Sequence, residues 1–171
     1  LELEEVKTGL RTAVLAGEVY PVICGSAVKN IGIATLLNMI IDYNPCPDDL
    51  KPKAGHLPNS DQEILKPTKD SEPFAAYVFK TIVDPFVGTI SLFKIYSGVA
   101  RTGMDVYIPN TDQTVKLPQI FSLMGKTQLQ IDAAYAGDII AVAKLSELEI
   151  GYTLCDKKAP VVFEKPDYAT P

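Results

Sequence analysis

Cysteine and histidine are scarce in this sequence, and their scarcity excludes several chemistries. Cys24, Cys46 and Cys155 are its three cysteines. They are odd in number and form no Cys-x-x-Cys pair, so neither a disulfide framework nor a zinc site is predicted, and a reducing cytoplasm fits. His56 is the one histidine and has no cysteine beside it, so it reads as a solvated side chain. The formal net charge is −5, from 16 Lys and Arg against 21 Asp and Glu. A free-standing nucleic-acid binder presents a net basic surface, so any RNA contact here must come from a local patch. No apolar run approaches the length that crosses a bilayer, and the acidic start LELEEVKTGL lacks the order of a signal peptide, so no membrane partner is predicted. A phosphate-cradling loop needs spaced glycines followed by Lys and Ser or Thr. Gly98 and Gly103 come nearest, but Met104 stands where the lysine belongs. The sequence therefore predicts no catalytic residue, no metal site and no nucleotide hydrolysis by this chain alone.

What is present divides the chain in two. Leu3, Val6, Leu10 and Val14 recur at helical spacing, with Glu2, Glu4 and Glu5 at the positive end of the helix dipole. Val19 to Cys24 is a continuous β-branched run, read as a strand buried on both faces, with Cys24 an inert strand thiol. Ile33, Leu36, Leu37, Ile40 and Ile41 mark one face of a second helix, stopped by "YNPCP". Helix, strand and helix make the closing part of an α/β domain over 1–48. Residues 49–72 mix prolines and charges without a period, predicting a linker with at most a short strand at Glu63–Leu65.

Past Pro73, "FAAYVFKTIV" and "TISLFKIY" are rich in strand formers, and turns are marked at Gly98, Gly103 and Asn110–Asp112. Val115, Leu117, Phe121 and Leu123 largely keep one face apolar, and Pro118 marks an edge or a bulge. Alternation at Phe79–Lys80 and Phe93–Lys94 predicts aromatic rings in the core and lysines in solvent. Short strands without intervening helices predict a mainly β fold, a small β-barrel over 73–157. Such a barrel closes its own edges, so 73–157 is expected to fold alone.

The order of these segments resembles the elongation factor G family of translational GTPases. "PVICGSAVKNIG" is similar to the guanine-reading loop that ends the family's nucleotide domain. "PFAAYVFKTIVDPFVGTISLFKIYSGVARTG", with "YAGDIIAVAKL" and "GYTLCD", resembles its second-domain barrel, and "APVVFEKPDYATP", within 158–171, resembles the start of its third domain. The resemblance implies that Gly25, Ser26 and Ala27 bind guanine in the intact parent, with the Ala27 amide reaching the guanine oxygen. It implies GTP or GDP and magnesium as cofactors of that parent, held mostly by residues upstream of Leu1, and none for this internal fragment. Its implied partners are adjacent domains of the same chain and the ribosome, with Arg101, Lys116 and Lys126 as contacts to small-subunit ribosomal RNA. Where the family commonly has Thr-Gly-Asp-Thr-Leu, this chain reads Ile150, Gly151, Tyr152, Thr153, Leu154 and lacks the turn carboxylate. "LMGKTQLQI" resembles the family's paralogues more than its main translocation factor. Two rivals share the barrel: a ribosomal-protection or release-factor GTPase, and an autonomous β-barrel RNA-binding module.

Overall fold

The computed structural model describes residues 2–85, 88–125, 127–145 and 147–166. Contacts gather the chain into two units, Leu1–Asp49 and Leu50–Pro171.

In the first unit, α1 (Leu3–Leu15) begins where the Glu2 amide donates to Glu5 Oε2 at 2.9 Å, and α2 spans Ile33–Tyr43. The two helices are tied by Arg11. Its guanidinium donates to the Asp42 carbonyl at 2.9 Å and to Asp49 Oδ2 at 2.6 Å. The same carboxylate accepts the Cys46 amide at 2.8 Å, and these donors, the Cys46 amide first, hold the Asp49 carboxyl below its ordinary range. Residues 19–24 differ from the expected strand: they join no ladder, and Val22 is 88 % exposed. A strand exists through its hydrogen-bonded neighbours, and the described residues offer this segment none. Cys24 is accordingly exposed, not a buried strand thiol.

The second unit is almost all β. It contains β1 (Lys53–His56), β2 (Glu63–Lys66), β3 (Ala75–Asp84), β4 (Gly88–Ser97), β5 (Ala100–Arg101) and β6 (Asp105–Ile108). There follow β7 (Gln113–Lys116), β8 (Ile120–Met124), β9 (Thr127–Ile131), β10 (Ala133–Ala134), β11 (Ile139–Ala143) and β12 (Thr153–Cys155). Eight of these form one antiparallel sheet in the order β7-β6-β12-β3-β4-β11-β8-β9. The short pair β5–β10 links the end strand β9, which β10 continues, to β6, the strand beside the other end, since β5 runs into β6. The Thr102 amide adds a bond to the Asp132 carbonyl at 3.2 Å across the same seam. Curling the sheet so that this link can form encloses the main core.

That core alternates with the pleat. Phe93 and Ile95 of β4 are fully buried with Val78, Ile108, Ile140 and Leu154, while Lys94 and Tyr96 lie on the outer face. The alternation holds for Phe93 and fails for Phe79. The β3–β4 register slips between Val78 and Lys80, and this bulge leaves Phe79 37 % exposed. A second slip in the sequence pattern falls at Leu117–Gln119, where the chain passes from β7 to β8 outside any strand. Leu117 enters the main core with Val115 beside it, whereas Phe121 and Leu123 pack outside, against Ile90.

Residues 49–72 hold more structure than a linker with one short strand. β1 and β2 pair as an antiparallel hairpin, Lys53 opposite Lys66, and Val162 adds a bridge to His56. The outer face of β12, β3 and β4 is thereby covered: Ala75, Tyr77 and Cys155 pack with Val161 and Phe163. Burial pushes the Cys155 thiol pKa up. Val161 and Phe163, beyond 157, thus cover apolar surface of the barrel and are tied in turn to the hairpin before 73, which the expectation that 73–157 folds alone did not include.

Candidate functional site

The loop at Gly25–Ala27 is shaped by its own backbone. Ser26 and Ile31 exchange two hydrogen bonds, each 2.9 Å, closing a four-residue loop over 27–30. Inside it the Asn30 amide donates to the Ala27 carbonyl at 3.2 Å, and the Lys29 amide to Ser26 Oγ at 3.4 Å. Asn30 takes the left-handed conformation, φ 54°, that closes the turn and that asparagine tolerates. The Ser26, Lys29 and Asn30 amides are consumed by the loop. Those of Ala27 and Val28 donate to no acceptor among the described residues, and both residues are exposed. With only a methyl group at Ala27, a planar acceptor can reach that amide closely. The arrangement can bind an oxygen.

Two of the three basic residues expected to meet RNA are described. Arg101 in β5 pairs with Ala133, and Lys116 at the end of β7 pairs with Asp105. The turn between β5 and β6 brings their backbones near each other. The Gly103 amide donates to the Leu117 carbonyl and the Leu117 amide to the Met104 carbonyl, both at 2.8 Å. Both side chains are exposed, and neither forms an ion pair among the described residues. Lys126 lies outside the described residues.

Elsewhere the chemistry is sparse. His56 sits in β1, where its backbone pairs with Val162, and it borders a cleft of about 450 Å³ with Lys53, Asp61, Glu63 and Glu164. Among the described residues no group of His, Cys, Asp and Glu can hold a metal ion. No helix there is long and apolar enough to cross a membrane. What sequence reasoning missed is the packing of Val161–Phe163 on the barrel. The apolar triplet "VVF" after Pro160 was the signal, though nothing local says which surface it covers.

Comparison with known proteins bears on the fold. Residues 73–157 match the family described as elongation factor G domain 2. A crystal structure of a protein from Thermus thermophilus aligns with a TM-score of 0.71 and 28 % identity, covering 97 % of this chain and 21 % of that chain. This chain thus spans about a fifth of the length of that relative. The barrel is of the class that forms the second domain of translation elongation factors. The chain belongs to the elongation factor G family.

Proposed function

We propose that this chain serves protein synthesis as part of a ribosome-associated GTPase of the elongation factor G type. The observation that carries the reading is the barrel itself, matched over 73–157 to the family's second domain. In this role the barrel docks on the small ribosomal subunit through phosphate contacts of Arg101 and Lys116, joined by Lys126. That the first two are exposed and form no ion pair among the described residues supports the assignment, because an unpaired cation can neutralise a phosphate without first losing a partner. Gly25, Ser26 and Ala27 form one wall of a guanine site. The unoccupied Ala27 amide is a donor to a carbonyl oxygen, so it favours guanine O6 over the adenine amino group, itself a donor.

GTP or GDP and magnesium belong to the complete site. The phosphates need a glycine-rich cradle and the metal a Ser or Thr hydroxyl, and this sequence has no such loop. Hydrolysis therefore takes place only where the remaining walls are supplied, and the barrel couples that nucleotide domain to the ribosome. The chain by itself is a binding module. Calorimetry of the purified chain with GDP and magnesium is expected to show no binding at micromolar concentrations, and a micromolar Kd would overturn the assignment of the phosphate cradle to other residues.

A further inference from the structure

After β12 the chain does not leave the barrel freely. It turns at Asp156, whose amide donates to the Phe74 carbonyl at 2.9 Å, and runs back across the outer face of the sheet. Three attachments hold it there. Val162 and His56 exchange backbone hydrogen bonds of 2.9 and 2.8 Å, so the returning segment is bridged to β1, the strand paired with β2. The Phe163 amide donates to Thr153 Oγ1 at 2.9 Å, and its ring stands edge-on to Tyr96 at 4.9 Å between centroids. From β2, Lys66 Nζ donates to the Ala159 carbonyl at 3.4 Å, with Lys66 only 6 % exposed. Val161 and Phe163 are buried to 0 % and 1 % exposure.

We propose that β1–β2 and residues 156–165 form a clamp that fixes the chain leaving the barrel to the chain entering it, so that the two move as one body. The inference stands on this geometry and not on the ribosomal reading. Its physical ground is mutual dependence. A two-stranded hairpin of four-residue strands is marginal in water, and a single returning strand is less stable still. Each becomes stable when the other supplies the bridge partner and the close packing beside it. Gly55 shows how closely they fit: a Cβ there would stand 2.7 Å from Val161 Cγ2 and 2.8 Å from the Val162 carbonyl oxygen. A displacement of the entering strand is therefore passed directly to residues 160–165, with no rearrangement of the barrel core. The clamp is a local cooperative unit distinct from that core.

Amide hydrogen exchange on the whole chain tests this. Phe163→Ala removes a ring from the returning segment and alters no residue of the hairpin. It is expected to accelerate exchange of the Leu57 amide, which bonds to Gln62 within the hairpin, by at least about tenfold, while Phe93 and Val142 in the core change less than about twofold. Gly55→Val is expected to do the reverse, releasing the Val162 and Phe163 amides to a similar extent. Faster exchange at Val162 with Leu57 unchanged in Phe163→Ala would overturn the clamp. So would a uniform rise that includes Phe93, since hairpin, returning segment and barrel would then open together. Phe163→Ala decides the matter even if Gly55→Val does not fold.

Discussion

Gly98→Ala is expected to destabilise the barrel unit by about 3–5 kcal/mol, the sum of a conformational and a steric cost. Gly98 follows β4 with φ +72°, a conformation in which an alanine Cβ crowds its own carbonyl. The added methyl would also stand 2.6 Å from both N and Cα of Phe74 and 2.7 Å from the Glu72 carbonyl oxygen. All three are backbone atoms, so no side chain can swing aside to make room. The turn cannot move away either. The Gly98 amide donates to the Lys69 carbonyl at 2.9 Å, and Ser97 Oγ to the Pro73 carbonyl at 2.8 Å, fastening β4 to the strand that begins the barrel. Urea unfolding of the whole chain followed by circular dichroism measures the effect. A loss below about 1 kcal/mol would show that the 69–74 segment yields easily.

Phe93→Ala is expected to cost about as much by a different route, about 3–5 kcal/mol, from lost burial plus the cavity left behind. Phe93 is fully buried at the centre of the main core, in a strand paired on both sides, with Val78 opposite in β3 and Ile140 opposite in β11. Strands hydrogen-bonded on both flanks cannot collapse into the space, which places the substitution toward the upper end of that range. Phe79→Ala, from the same Phe-Lys pattern one strand earlier, is expected to cost far less, because the bulge leaves that ring 37 % exposed. The same unfolding series compares the two. Equal losses would mean that the bulge does not turn Phe79 away from the core.

These two phenylalanines show what the sequence could and could not disclose. Phe79-Lys80 and Phe93-Lys94 read identically as alternation, and a period-2 pattern carries no mark of a bulge, which arises from pairing with a distant strand. The β3 and β4 strands, the turns at Gly98 and Gly103 and the hairpin through Asn110–Asp112 were legible, since each rests on local propensity and turn chemistry. The 19–24 run shows the opposite failure. Its composition asks for a buried strand, but a strand also needs partners, and the described residues supply none. Of the β1–β2 hairpin only β2 was legible, as the short strand at Glu63–Leu65; β1 was hidden, and its second neighbour lies beyond the barrel, at Val162, some hundred residues along the chain.

The candidate site was legible in a different way. "GSA" identifies a loop type through resemblance, and the structure adds which amides that loop spends on itself and which it leaves free. Arg101 and Lys116 could be singled out as cations. That one turn brings their backbones near each other depends on the Gly103–Leu117 and Leu117–Met104 bonds, which no local pattern encodes.

Docking of the barrel on the small ribosomal subunit is the central claim, and sedimentation of the purified chain with small subunits at low salt tests it most directly. The chain is expected to co-sediment, with binding weakened as salt rises. Combined Arg101→Glu and Lys116→Glu substitutions are expected to reduce the affinity by at least about tenfold and to flatten the salt dependence, because fewer phosphates are neutralised. No association at low salt, or undiminished association of the doubly reversed variant, would contradict the account.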